Sequence, residues 1–597
     1  MRLLPLTLAA GLVAAIVITI GRPAAGPAAA ATPTVAETVR IAETWRAAHR
    51  TIDLHQHIDG KPDNFARAVR IMDRSGIGIG VNLSGGTVTS KPDGKSEFER
   101  VKALADANHP DRFVHYMNLD YAGWDDPDFS DRAVQQIVAG RKMGAAGLKE
   151  YKRLGLFLRD RNRQLIKIDD PKLDPVWAKC GELQMPVSIH VADPRAFWLP
   201  FDAANERWKE LKDHKSWWFG DREKFPAREE LLAALDRVIA RHRGTTFVCV
   251  HFANNAEDLQ WVDQALERNP NMLADVAARI PEIGRHDPEK VRTFFRKHRD
   301  RILFATDFMV YDRLILGSGG DAERPTDDDG CAFYAKCWRW FETSDRNWPH
   351  MTPIQGDWTI DSIALDPDIL RRVYFDNARR LLARSLPPPT LTVRFIRQDF
   401  QPNGRGDTSV WNQAVPASLE YQSHDASVRP ALSTTLRALW SDQFLYLLYE
   451  CPFTELTTFE PVAQKERLGL WDRDVVEAFL APDPAQPNHY AEIEWAPTGE
   501  KLDVMVRLPE KDFAWTCPVE FSASVDATAK IWRLEARIPF SSFGDARPAA
   551  GQSWRANFYR HDAASKSGLA FNPTLTPSFH TPARFGWLKF ADSAPAR

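Results

Sequence analysis

The chain has 597 residues, of which 44% are hydrophobic and 26% charged, and 77 Lys+Arg against 80 Asp+Glu leave a net charge of −3. That length exceeds one ordinary domain, and the balance excludes both a disordered chain and a membrane bundle. Near-neutrality offers no basic face for a phosphate backbone, so no nucleic-acid partner is expected, and 6 Cys in so long a chain exclude a disulfide scaffold.

Residues 1–31 read as a signal peptide. Arg2 gives a positive start, residues 3–20 are almost entirely apolar, and an Ala-rich stretch ends near Ala31. This charged, apolar, small-residue order is that of a cleaved secretory leader, so the mature chain is expected to be secreted or periplasmic. Membrane attachment is expected only if the leader stays uncleaved, since its apolar run is just long enough to span a bilayer.

Between residues 51 and 307 eight β-like runs alternate with stretches of helical periodicity: 51–54, 77–83, 113–118, 146–149, 187–189, 247–250, 272–276 and 302–305. This alternation describes an α/β fold, a (β/α)8 TIM barrel, over residues 32–386. Residues 308–365 read as a long insertion. A closing helix is expected over 367–382, with Asp366 as N-cap and Pro367 at the first helical position. Pro387, Pro388 and Pro389 begin a stiff linker, 387–390. Three such residues reach only about 9 Å, so the C-terminal domain must sit against the barrel or beside it. Residues 391–597 carry period-two strand patterns and almost no helical periodicity, which predicts an all-β sandwich. Each half has its own apolar pattern and is expected to fold alone. Cys249 lies in an apolar run and reads as a core thiol; Cys331 with Cys337 and Cys451 with Cys517 are the candidate bridges, against a reduced core thiol at each position.

The chemistry lies at the strand ends. Strand one ends Asp53-Leu54-His55-Gln56-His57, and side chains two apart on a strand share one side. Strand four ends at Lys149, strand five at His190, strand six at His251 and strand eight at Asp307. The C-terminal strand ends of such a barrel form one mouth, where active sites sit. Imidazoles with a carboxylate suit Zn2+, Mn2+ or Fe2+.

With these motifs, and with Val373–Leu382 of the closing helix, residues 50–385 resemble the amidohydrolase superfamily, in the amidohydrolase-related branch of metal-dependent hydrolases and decarboxylases. The resemblance implies that His55, His57, His190 and Asp307 hold one divalent metal, zinc foremost with manganese or iron as alternatives. It also implies that His251 and Asp307 handle protons beside it. Some relatives carry a second metal bridged by a carboxylated lysine at the place of Lys149, for which the alternatives are a substrate anion or Glu150. Arg195, Arg207 and Arg279 are candidates for holding a substrate carboxylate, or for structural ion pairs.

Residues 436–452, 470–480, 490–503 and 531–540 resemble a family 9 carbohydrate-binding module, which implies sugar stacking on aromatic faces. Trp471, Trp495 and Trp515 are the candidate platforms, with Trp532 also available; for Trp471 and Trp532 a core role competes. The expected function is a secreted metal-dependent hydrolase, with activated water attacking a small acyl compound such as a lactone, ester or amide, and with carbohydrate as a further ligand. The alternatives are non-oxidative decarboxylation of an aromatic or unsaturated acid, and a non-catalytic sugar-binding protein.

Overall fold

Val-, Ile-, Leu- and Phe-rich runs bounded by turn residues form strands covered on both faces, the pattern of a parallel sheet packed between helices. A computed structural model describes residues 33–320, 323–462, 466–544 and 546–592; the expected leader lies outside them. Strands β1 (Ile52–Ile58), β2 (Ile79–Asn82), β3 (Phe113–Asn118), β4 (Gly147–Glu150), β5 (Val187–Ile189), β6 (Phe247–Cys249), β7 (Met272–Asp275) and β8 (Ile302–Leu303) pair side by side in chain order. Every adjacent pair is parallel. Amphipathic helices cover the sheet. Pro62–Ser75 buries Phe65, Ala68, Ile71 and Met72, and Arg228–Arg241 buries Leu231, Leu235, Val238 and Ile239.

The expected insertion is built structure. Beyond β8, β9 (Phe308–Val310) pairs in parallel with β1, and β10 (Leu314–Leu316) folds back antiparallel on β9. The Leu54 N–H donates to Phe304 O (3.1 Å) and the Asp307 N–H to His55 O (2.9 Å), so the segment after β8 also reaches β1. A helix then runs from Asp327 to Glu342, opened by a capping box between Thr326 and Asp329. It brings the Tyr334 hydroxyl to Asp53.

Pro367 does open the closing helix, but the Asp366 carboxylate accepts from Arg296 Nε (2.9 Å) and makes no side-chain cap. A π-helical turn, Arg372–Asp376, interrupts the helix, and Val373 O accepts from the Phe304 N–H at 2.9 Å. A single inserted residue of this kind shifts the neighbouring carbonyls, here toward the strand that carries the site.

The second domain is β-rich. Among the described residues its sheet path runs through eleven strands, of which the sequence pattern missed three: Thr390–Phe395, Glu510–Asp512 and Glu520–Asp526. The curled sheet closes on one core, where Leu436, Leu447 and Leu534 from one half meet Val476, Ile493 and Ala556 from the other. All six cysteines are free thiols, five of them buried, so neither candidate bridge exists. Among the described residues no helix is long and apolar enough to cross a membrane.

A polar seam joins the domains. Glu420 accepts from Arg50 Nη2 and Arg371 Nη2, both at 2.8 Å, and the Tyr421 hydroxyl donates to Asp376 Oδ1 at 2.9 Å. Arg379 lies 3.6 Å over the Tyr421 ring. Glu420, Tyr421 and Asp376 are all buried. Removing Glu420 leaves two partly exposed arginines short of a partner, so Glu420→Ala should lower stability by about 1–3 kcal/mol, measured by urea unfolding of the full chain. No change would mean the seam contributes only surface contact.

Candidate active site

Period-two alternation brings His55 and His57 to one side of β1, where their Nε2 atoms stand 3.2 Å apart. The other nitrogen of each ring is engaged: His55 Nδ1 with Asp275 Oδ2 at 3.1 Å, His57 Nδ1 with Ser84 Oγ at 2.8 Å. Each ring therefore turns Nε2 inward. Asp307 Oδ1 completes a triangle, 3.3 Å from His55 Nε2 and 3.4 Å from His57 Nε2. Donors at about 2.0–2.1 Å around one tetrahedral ion stand about 3.3–3.4 Å apart, so this donor set fits a divalent ion. Burial holds the pKa values of His55, His57 and His251 well below the usual imidazole range. They are neutral at pH 7, and neutral imidazole is the metal-binding form.

The remaining predicted residues lie around this triangle. His251 shares with His55 and Asp307 a group whose donor atoms all fall within 4.8 Å of one another. Its Nδ1–H donates to Ala277 O (2.9 Å), which makes Nε2 the basic nitrogen. The ring of His190 is 4.4 Å from that of His251. His190 Nε2 is buried 3.3 Å from Asp193 Oδ1, on the carboxylate that also pairs with Lys152. Lys149 Nζ is 3.4 Å from His55 Nε2, and burial lowers its pKa to about 8. Burial, opposed by Lys149, pushes the Asp307 carboxyl up to about 7.

Backbone strain concentrates at the site. Asp307 has φ +61°, and His251, Phe252, Ala253 and Asn254 are four consecutive residues with φ of +54° to +60°. Each such residue costs roughly 1–2 kcal/mol, so neighbouring structure must hold the turn. Asp275 Oδ1 accepts from the His251 N–H (2.8 Å) and the Ala277 N–H (3.1 Å). Asn254 Oδ1 accepts from the Val191 and Ala192 N–H groups, and Arg228 donates to Asn254 O, Asn255 Oδ1 and Asp193 O. Beneath the floor, buried Asp53 accepts from the Thr306 N–H and hydroxyl, Tyr334, Gln56 and the His55 N–H.

Sequence reasoning missed Asp275, Ser84, Arg228 and Asn254. Asp275 ends β7, and the strand-end rule that selected His190 and His251 would have selected it as well.

The triangle floors a cavity of about 350 Å3, walled by Tyr151, Phe197, Trp217 and Tyr311, with Arg279 supplying positive charge and Lys152 paired with buried Asp193. Arg279 is buried, donates to Ala278 O at 2.9 Å and stands 3.9 Å from Asp193 Oδ1. Arg207 also lines the cavity, but its charge is spent on Glu210 and Glu282. Arg195 contradicts its expected role: its 3-10 turn leaves the side chain exposed, outside the cavity lining.

In the second domain Trp471 is 37% exposed on a cavity of about 440 Å3, shared with Glu477, Glu492, Lys511 and Phe579. Trp515 lines a different cavity, of about 560 Å3, with Arg507 and Phe543. Trp495 is 0% exposed and cannot be a sugar platform, because strand alternation sends it inward with Ile493. Trp532 is in the core too, whereas Trp471 is not.

Residues 52–384 match the family model described as Amidohydrolase, and residues 403–593 match the Carbohydrate family 9 binding domain-like model. A curated relative named "Extracellular protein" from Arthroderma benhamiae is 26% identical over 163 residues, 25% of this chain and 71% of that one. Among solved structures, 2,6-dihydroxybenzoate decarboxylase from Rhizobium aligns at 16% identity, covering 56% of this chain and 98% of that one, with a TM-score of 0.33. A dihydroxybenzoic acid decarboxylase from a Polaromonas species, with bound manganese and 2-nitroresorcinol, gives 15% identity over 56% of this chain and 96% of that one, with a TM-score of 0.34. A family 9 carbohydrate-binding module from Caldicellulosiruptor kristjanssonii, in complex with cellotriose, gives 16% identity over 35% of this chain and 100% of that one, with a TM-score of 0.26.

Asp275→Asn places an amide N–H against His55 Nδ1 and favours the tautomer protonated at Nε2. Divalent-ion affinity should fall about 10- to 100-fold, read by competition with a chelator; unchanged affinity would leave Asp275 a fold residue only.

Proposed function

Because the chain belongs to the amidohydrolase family over more than half its length, we propose that it is a metal-dependent hydrolase of small acyl compounds bearing an anionic group. The observation that carries this reading is the His55–His57–Asp307 triangle beneath a cavity with cationic and aromatic walls. We read the curled parallel sheet as a closed (β/α)8 barrel, a reading supported by the bonds from residues 304 and 307 to β1. The second domain we read as a carbohydrate-binding sandwich. The leader sequence, together with a relative named extracellular, supports export.

His55, His57 and Asp307 would hold the ion, with His190, whose ring stands 4.4 Å from that of His251, as the fourth ligand. When bound, a divalent ion supplies Lewis acidity toward an acyl oxygen and makes its water acidic near pH 7. The chain's own residues do the rest. Asp307, on the triangle and carrying a second oxygen, is placed to take a proton and return it to the leaving group. His251 offers Nε2 as a second base, in a tautomer set by Ala277 O. Arg279 orients the anionic end of the substrate, and Tyr151 and Trp217 exclude water from its flat part.

Decarboxylation of an aromatic acid is the second reading, favoured by that same cation and those rings. Product analysis on aromatic lactones, esters and carboxylates separates the two. Products that gain water support the hydrolase, released CO2 supports the lyase, and chelator-insensitive turnover contradicts both.

His190→Ala should lower metal content. His251→Ala should retain the metal and lose about 10²–10⁴-fold in turnover. Metal analysis of both variants checks this; loss of metal in both would indicate a two-metal centre using Lys149.

A further inference from the structure

The cavity beside Trp471 contains a charge arrangement that neutral sugar recognition does not require. Glu477 lies on the strand Val475–Ala481, directly opposite Glu494 of His489–Trp495, and Glu492 shares Glu494's face two residues away. Like charges directly opposite on paired strands destabilise a sheet. The carboxylates of Glu477, Glu492 and Glu494 nevertheless come within 4.8 Å of one another, at exposures of 2%, 4% and 0%. Both oxygens of Glu494 and Oε2 of Glu492 are buried without a hydrogen bond. Burial and mutual repulsion hold Glu477 and Glu494 well above the usual carboxylate range.

The cation beside the cluster is Lys511. Its Nζ stands 3.8 Å from Glu492 Oε2 and is itself bonded to His580 Nε2 at 2.5 Å. Glu477 and Glu492 line the cavity of about 440 Å3, and Asp472 adds a further acid to its wall. Exposed Trp471 and the Phe579 ring, stacked at 4.2 Å on Tyr559, give the same cavity aromatic surfaces.

We propose that this cavity binds amino sugars, with the ring on Trp471 and its ammonium group directed at Glu477 and Glu492. The proposal rests on the carbohydrate-binding reading of this domain and names its ligand class. An ammonium group carries three N–H donors and one positive charge, matching the Glu477 and Glu492 carboxylates on the cavity wall, to which buried Glu494, within 4.8 Å, adds negative charge. A hydroxyl donates once and compensates no charge. An N-acetylated sugar has lost the cation and adds bulk where the carboxylates converge. A hard divalent ion would want six to eight oxygens, more than these side chains turn toward one point.

Isothermal titration of the full chain with glucosamine trisaccharide, N-acetylglucosamine trisaccharide and cellotriose tests the assignment. Glucosamine trisaccharide should bind about 10- to 100-fold more tightly than either neutral sugar, the scale of one charge-assisted contact. Glu477→Gln should abolish that preference, and Trp471→Ala should weaken all three ligands. The comparison among ligands on the unmodified chain needs no variant, so a variant that fails to fold leaves the test intact. Equal affinity for all three sugars overturns the amino-sugar assignment while leaving carbohydrate binding in place. Absence of binding by any of them overturns the carbohydrate reading as well. Calcium binding that is lost in Glu494→Gln would assign the cluster to a metal and also overturn the proposal.

Discussion

The site depends on one buried carboxylate. Asp275, at the end of β7, accepts from His55 Nδ1, from the His251 N–H and from the Ala277 N–H. Through those bonds it sets the tautomer of a candidate ligand on β1, holds a left-handed turn after β6 and fixes the loop after its own strand. Burial raises its pKa to about 6, and Lys149 and the two backbone donors act against that shift. A buried charge is tolerated only where its oxygens are bonded, and here the bonding partners are the active-site elements themselves.

The same economy applies one layer further out. Arg228 donates to carbonyl and amide oxygens of the loops after β5 and β6, so the segments bearing His190 and His251 share one guanidinium. Asp53 ties Thr306, next to Asp307, to the base of the His55–His57 strand. Strained residues at His251 and Asp307 are thus held by polar contacts beneath the cavity, which leaves the cavity face open for substrate.

Much of this was legible in the sequence. Strand patterning located all eight parallel strands, because most begin in an apolar run covered on both faces, and the strand-end rule selected His55, His57, Lys149, His190, His251 and Asp307. The failures have physical reasons. The Asp327–Glu342 helix announces itself only by the Thr326–Asp329 box, inside a region read as insertion. The cysteine pairings rested on nearness in sequence, which does not determine side-chain direction. Arg195 and Arg207 looked alike as loop arginines; one faces solvent and the other is consumed by two glutamates, a distinction that only tertiary contacts make. Trp495 belongs to the core because strand phase decides its face, and that phase was readable from Ile493.

Convergence of His55, His57 and Asp307 on a divalent ion is the central claim. Anomalous scattering from crystals of the full chain, recorded at the absorption edges of zinc, manganese and iron, tests it most directly. One strong peak is expected about 2.0–2.2 Å from His55 Nε2, His57 Nε2 and Asp307 Oδ1. No peak there in a catalytically active preparation, or a peak only among Glu477, Glu492 and Glu494, would contradict it.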